Sequence, residues 1–200
     1  MNLVKIFLQA AIVDNAILMR FLALCAFIGM SNDVSKSIGM GGAVTFVTVL
    51  ASAVTWPLYH YVLANPKLMA ISPIFDLSFL QILVFILVIA ALVQLVEFFL
   101  KKNVPSLYAA MGIYLPLITT NCAILAVTFD NITKKYNLAE SLVYSVGASV
   151  GFTLSLVLLA GIRDRMKTAN LPAFIKGTPS LFVATSLLAV AFMGFSGLIK

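Results

Sequence analysis

Apolar residues in this chain run on for about twenty positions at a time, the length a helix needs to cross the hydrocarbon core of a bilayer. Six such runs stand out, near 6–28, 38–63, 77–100, 107–128, 138–162 and 178–198. They lack the period-two alternation of a membrane barrel, and in lipid a segment of this kind satisfies its own backbone only as a helix. Turn-forming residues punctuate the connections: Ser31-Asn32-Asp33, Asn65-Pro66, Ser72-Pro73, Asn103-Val104-Pro105 and Asp130-Asn131. The connections are short, so neighbouring helices must pack together. The expected fold is an all-α membrane protein of six transmembrane helices, with residues 1–200 forming one integral domain.

Composition agrees with the pattern. The chain is 62% hydrophobic and 10% charged, whereas charged residues make up about a quarter of a soluble domain. The formal charge of +6 comes from lysines and arginines at segment ends, so it reports topology and anionic lipid, not nucleic acid. Connections one-two, three-four and five-six hold Lys36, Lys101, Lys102, Arg163, Arg165, Lys167 and Lys176. The other side holds Lys5, Lys67, Lys134, Lys135 and Lys200. Seven against five places both termini outside the cytoplasm. A cleaved signal peptide is not expected, because Asp14, Asn15 and Arg20 break the first apolar run and no small-residue cleavage site follows. Nor does Cys25 read as a lipoprotein site, since Leu24 precedes it where a small residue belongs.

Cys25 and Cys122 are the only two cysteines, and each lies in the first span of its half of the chain. Three spans per half turn the second half upside down, so an inverted repeat is expected, repeat one about 1–102 and repeat two about 103–200. Ser37-Ile38-Gly39 and Ser145-Val146-Gly147 are a weak second correspondence. Gly147-xxx-Gly151 and Gly194-xx-Gly197 read as small-residue patches for close helix packing.

Two cysteines in an apolar setting admit two readings. They are either small buried hydrophobes or soft metal ligands suited to an iron–sulfur cluster, zinc or copper. A binuclear cluster usually takes four thiolates, so on the second reading a partner must supply two more. Geometry adds a condition. Along straight helices Cys25 would lie near one membrane face and Cys122 near the other, so at least one span has to be broken. Pro116, Thr119, Thr120 and Asn121 have the composition of such a break, because proline removes a helix bond and hydroxyl or amide groups satisfy the freed backbone. Span one has no proline, but Asp14, Asn15 and Arg20 make it unlike a plain lipid-facing helix. Asp14 and Arg20 lie on different faces of a straight helix and would not pair. Asp14 could serve an ion pathway, an interface anchor or a partner contact, and Arg20 could snorkel or offset negative charge near the cysteine. Gln94 and Glu97 share a face and suggest a helix contact, while His60 reads as an interfacial residue.

Three stretches carry a resemblance: Phe21-Leu22-Ala23-Leu24-Cys25-Ala26-Phe27, Gly112-Ile113-Tyr114-Leu115-Pro116-Leu117-Ile118-Thr119-Thr120-Asn121-Cys122-Ala123, and Ala191-Phe192-Met193-Gly194-Phe195-Ser196-Gly197-Leu198. Together they resemble the RnfA/NqrE family over the full chain. Thr119-Thr120-Asn121-Cys122 is closer to the RnfA branch, and Asp76-Leu77-Ser78-Phe79-Leu80 closer to the NqrE branch of the sodium-translocating NADH:quinone reductase. The resemblance implies a membrane subunit of an ion-translocating ferredoxin:NAD oxidoreductase in the bacterial inner membrane. It also implies an intramembrane [2Fe-2S] cluster, with two ligands from this chain, Cys25 and Cys122, and two from a paralogous RnfE-like six-helix subunit of opposite orientation. Further Rnf subunits carrying iron–sulfur clusters and flavins would complete the complex. Ala23 and Ala126 depart from the family, standing where relatives commonly have glycine. An inverted-repeat secondary transporter and an assembly scaffold with inert thiols are the competing classes.

Overall fold

Every regular element among the described residues is helical, as the unbroken apolar runs require. The computed structural model describes residues 3–63, 77–103, 117–118, 121–168 and 177–194. Helix α1 (Leu3–Leu8) continues as a π-helical turn over Gln9–Val13, and α2 (Ala16–Arg20) and α3 (Leu24–Met30) follow. Then come α4 (Val34–Leu58, ending in a π-helical turn Tyr59–Leu63), α5 (Leu77–Asn103), α6 (Cys122–Thr133), α7 (Leu138–Thr168) and α8 (Thr178–Met193). Among the described residues two helices, Val34–Tyr61 and Leu138–Thr168, are long and apolar enough to cross a membrane. The expected connections at 65–66, 72–73 and 104–105 lie outside the described residues, as does the stretch 107–116 of the fourth expected span.

The first expected span is not one helix. The π-turn ends at Asp14, whose backbone N–H donates to the Gln9 carbonyl at 2.7 Å, and the chain turns again over residues 21–23. Phe21 and Ala23 take positive φ, 52° and 59°. That conformation costs a residue with a Cβ roughly 1–2 kcal/mol and suits glycine. Ala23 therefore stands where the backbone favours glycine. No proline is needed for this break, because left-handed residues re-aim the chain while α3 resumes with Phe27 N–H on the Ala23 carbonyl at 2.9 Å.

α4 and α7 form the spine. They are antiparallel, since Gly41 lies against Thr153 while Ser52 meets Ser145 at 2.6 Å. Between them runs a seam of hydroxyls. Thr48, Thr55, Ser145, Ser149 and Ser155 each donate to the carbonyl four residues back, so their donors are satisfied within their own helices. Small side chains with no outstanding donor let the backbones come close without stranding polar groups in an apolar core. The Gly147/Gly151 patch is also a packing device. A Cβ at Gly147 would meet the Phe7 carbonyl oxygen at 2.8 Å, and one at Gly151 the Ala11 carbonyl oxygen at 2.5 Å. Asn15 fastens the same contact, its amide donating to the Gly151 carbonyl at 2.9 Å and to Ser155 Oγ at 2.8 Å.

Helix α5 buries Phe85, Ile89 and Val93, a stripe four residues apart, and leaves Ile82, Leu83, Ile86, Leu87, Leu95 and Phe98 exposed. α8 likewise exposes Phe182, Val183, Leu187, Val190 and Met193. Lipid or a partner helix solvates such faces without penalty. Gln94, read as a helix contact, is exposed, and Glu97 is half-buried.

Replacing Gly151 by valine should be severe, because the new atoms would collide with backbone and not with a movable side chain; about 1–3 kcal/mol is the scale for such overpacking. Gly29→Ala, where an added Cβ meets nothing within 4 Å, should be neutral or mildly stabilising. Thermal denaturation of the detergent-purified protein separates the two.

Candidate functional site

The two cysteines sit at the ends of two broken segments that meet. Cys25 lies in the first turn of α3, and Cys122 is the first residue of α6. The Ala23 N–H, two residues before Cys25, donates to Cys122 Sγ at 2.9 Å. Both thiols are free, with Cys25 exposed and Cys122 half-buried. At the start of α6 the sulfur faces the positive end of a helix dipole, where negative charge is favoured.

Asn121 makes the start of α6. Its backbone is extended (φ −71°, ψ 107°), and its side-chain Oδ1 accepts the Ala123 N–H at 3.0 Å, the bond of a helix N-cap. Asn121 is 4% exposed, and its Nδ2 finds no partner among the described residues. Pro116, Thr119 and Thr120 lie outside the described residues. Leu117 and Ile118 are helical, Asn121 is extended and α6 begins at Cys122.

Below the cysteine junction, α6 runs back along the first segment, antiparallel to it, and charged groups pair in order. Arg20 Nη1 reaches both oxygens of Asp130, at 3.0 and 2.9 Å. Tyr144 donates to Asp130 Oδ2 at 2.9 Å. Lys134 bonds Asp14 at 3.3 Å and lies 4.5 Å from the centre of the Tyr144 ring. Asp14 and Arg20 thus do not pair with each other, as their separation implied, and neither is a plain membrane anchor. Arg20 holds Asp130 of α6, and Asp14 holds Lys134, the residue that caps its C-terminal end. Sequence reasoning missed Asp130 and Lys134 as their partners, although a spacing of four places both on one helix face. His60 is exposed and stacks on Trp56 with centroids 5.4 Å apart, an aromatic pair at the end of α4.

Two free thiols at a junction of broken helices, set in an apolar helical bundle, are the features of an integral membrane protein with no metal-holding cluster of its own among the described residues. The description "Rnf-Nqr subunit, membrane protein" matches residues 3–199. The chain belongs to this Rnf-Nqr family of membrane proteins. It is 48% identical, over 99% of its length and 98% of the relative's, to the A subunit of the Na(+)-translocating ferredoxin:NAD(+) oxidoreductase complex of Acetobacterium woodii. The A subunit of the ion-translocating oxidoreductase complex of Syntrophotalea carbinolica is also 48% identical, over the same shares. Its counterpart in the proton-translocating ferredoxin:NAD(+) oxidoreductase complex of Clostridium ljungdahlii is 41% identical over 98% of this chain and 96% of its own.

Asn121→Ala removes the cap acceptor and should cost about 1 kcal/mol, the usual scale for an N-cap, whereas Asn121→Asp keeps an acceptor and should cost less. Thermal denaturation gives the stability order. The alkylation rate of Cys122 in a Cys25→Ser background should rise with Asn121→Ala as the start of α6 frays.

Proposed function

We propose that this chain is an electron-transfer subunit of an ion-translocating ferredoxin:NAD oxidoreductase complex in the bacterial plasma membrane. Cys25 and Cys122 hold half of an intramembrane [2Fe-2S] cluster, and a paralogous subunit of opposite orientation supplies the other two thiolates. The observation that carries this reading is the Ala23 N–H on Cys122 Sγ, because it brings the two cysteine-bearing breaks together. The residues fit half a cluster. Both thiols are free and accessible, as ligands shared across a boundary between chains must be. Among the described residues no group of three or more His, Cys, Asp or Glu could hold a metal alone.

When bound, the cluster would supply one-electron transfer. The chain's own part is to hold two sulfurs and to donate the Ala23 N–H to one of them, that of Cys122, which packs against the apolar core. Hydrogen bonds to ligand sulfur and exclusion of water are the levers by which a protein sets cluster potential. The three relatives, similar over nearly the whole chain, support the RnfA branch and a role as one component of a larger complex. Since relatives named for sodium and for proton translocation are both similar, likeness alone does not select the coupling ion.

An inverted-repeat layout of six helices, both termini outside the cytoplasm, belongs to the same reading. The antiparallel pairing of α4 with α7, and of α6 with the first segment, supports it. Reporter fusions at Lys200 should then read as non-cytoplasmic and fusions at Arg163 as cytoplasmic. The opposite result would overturn the orientation.

Cys25→Ser or Cys122→Ser should remove iron and acid-labile sulfide equivalent to one binuclear cluster from the purified complex, while the mutant chain still inserts and assembles. Electron transfer from ferredoxin to NAD should be lost with it. The wild-type chain purified alone should carry little iron. If both mutant complexes kept full iron content and activity, the cysteines would be inert small side chains and not ligands.

A further inference from the structure

The last turns of α7 carry Arg163, Arg165 and Lys167. Arg163 and Lys167 line a cavity of about 460 Å³ between the end of α3, the end of α7 and the start of α8. The cavity opens to the outside, since Asn32, Lys167, Gly177 and Thr178 in its wall are exposed. Arg163 is half-buried, and both of its hydrogen bonds leave from Nη1, to the Ile28 carbonyl at 3.1 Å and to Ser31 Oγ at 3.0 Å. A fixed guanidinium thus meets neutral acceptors and no carboxylate among the described residues. Lys167 Nζ reaches the Asn32 carbonyl at 3.4 Å and Asp164 only at 3.7 Å. Asp33 is taken by Lys36 at 3.0 Å, and neither aspartate lines the cavity. Thr178 and Ser180 bring in the start of α8, a helix of 16 residues with no side-chain cap, so its positive end adds to the two side chains. Cations that lack a counter-ion in an accessible cavity suit an anion.

An apolar groove continues from this cavity. Val157, Leu158, Gly161 and Ile162 line a space of about 580 Å³ along α7, which shares Met166 with the cationic cavity and has Arg165 at the same end. From Met166 back to Val157 the helix runs about 13 Å, within a helix long and apolar enough to cross a membrane. Gly161 keeps the groove open, being exposed, with nothing within 4 Å of an added Cβ. A free phosphate makes no use of such a groove, and an apolar helix makes none of the cations. A phospholipid uses both.

We propose that cavity and groove together bind one anionic phospholipid, with its phosphate between Arg163, Lys167 and the start of α8 and an acyl chain along Val157, Leu158 and Gly161. Phosphatidylglycerol carries the phosphate with no compensating charge. Phosphatidylcholine carries the same phosphate beside a cation of its own, which Arg163 and Lys167 repel. Glycerol phosphate offers the anion without the chains. A hydrogen bond to a charged group corresponds to about tenfold in affinity or more.

The test uses the whole complex, delipidated in detergent and titrated separately with these three compounds, with the lipid retained per complex counted by native mass spectrometry. Lys167→Gln, an exposed change, should retain one phosphatidylglycerol fewer than wild type and need about tenfold more to recover it. Arg163→Gln should do the same, and if it fails to assemble, because Arg163 also holds the end of α3, Lys167→Gln decides alone. Gly161→Leu fills the groove and favours the helix, and it should weaken the same lipid while leaving the response to Lys167→Gln in place. Equal retention of phosphatidylglycerol by wild type and Lys167→Gln would overturn the proposal, as would phosphatidylcholine filling the site as well as phosphatidylglycerol does. Displacement of the lipid by equimolar glycerol phosphate, with no effect of Gly161→Leu, would make this a site for free phosphate instead. Lys167 staying blocked to an amine reagent after delipidation would make the occupant an acidic protein segment. Retained lipid is counted independently of iron, so failure here leaves the cluster assignment standing.

Discussion

A backbone amide that leaves its helix inside a membrane protein must find another partner, because no water is there to take it. This constraint shapes the region around the cysteines. Where residues 21–23 interrupt the first span, the Ala23 carbonyl accepts Phe27 N–H and the Ala23 N–H turns to Cys122 Sγ. Where the chain breaks before α6, the Asn121 side chain takes the Ala123 N–H and the Asn121 carbonyl takes Ile124 N–H at 3.1 Å. Each break is therefore closed in part by its own cap, and one N–H of the first break is closed by the thiol of the second. The first break is not satisfied alone, so the two cysteine-bearing segments are coupled by the same need that would otherwise forbid the break.

Polar groups elsewhere in the bundle obey the same rule with a different solution. Thr48 and Thr55 on α4 and Ser145 and Ser149 on α7 return their protons to their own helices, leaving a seam of small side chains. A seam of large side chains would have held the helices apart. It would also have moved α1 and the π-helical turn that follows it, whose backbones lie directly against Gly147 and Gly151 respectively. The position of the first break thus depends on glycines more than a hundred residues away, through the contact that Asn15 fastens to Gly151 and Ser155.

Much of this was legible in the sequence, and the parts that were not share a cause. Apolar run length gave helices, the Gly147/Gly151 spacing gave close packing, and the opposed positions of Cys25 and Cys122 along straight helices required a break. What could not be read was who pairs with whom across the bundle. Arg20 with Asp130 and Lys134 with Asp14 join residues 110 and 120 apart in sequence, and no local period encodes such partners. The break in span one was legible only as an anomaly, because its device is a positive φ at Phe21 and Ala23, and an alanine there gives no composition signal.

The order of these long-range pairs explains why they are charged. Ala23 with Cys122, Arg20 with Asp130 and Asp14 with Lys134 follow one another down two antiparallel segments. A slip of one helix turn would separate both charge pairs at once, whereas apolar side chains would find equivalent neighbours one turn along. Ion pairs as exposed as Arg20 and Asp130, at 44% and 16% of their side chains, add little net stability. Their effect is on register. An apolar contact would tolerate α6 sliding along α2, whereas opposite charges in sequence do not, and the register they select is the one that sets Cys122 against Ala23. Specificity of alignment, and not strength, is what the first segment gains by carrying Asp14 and Arg20 into the membrane.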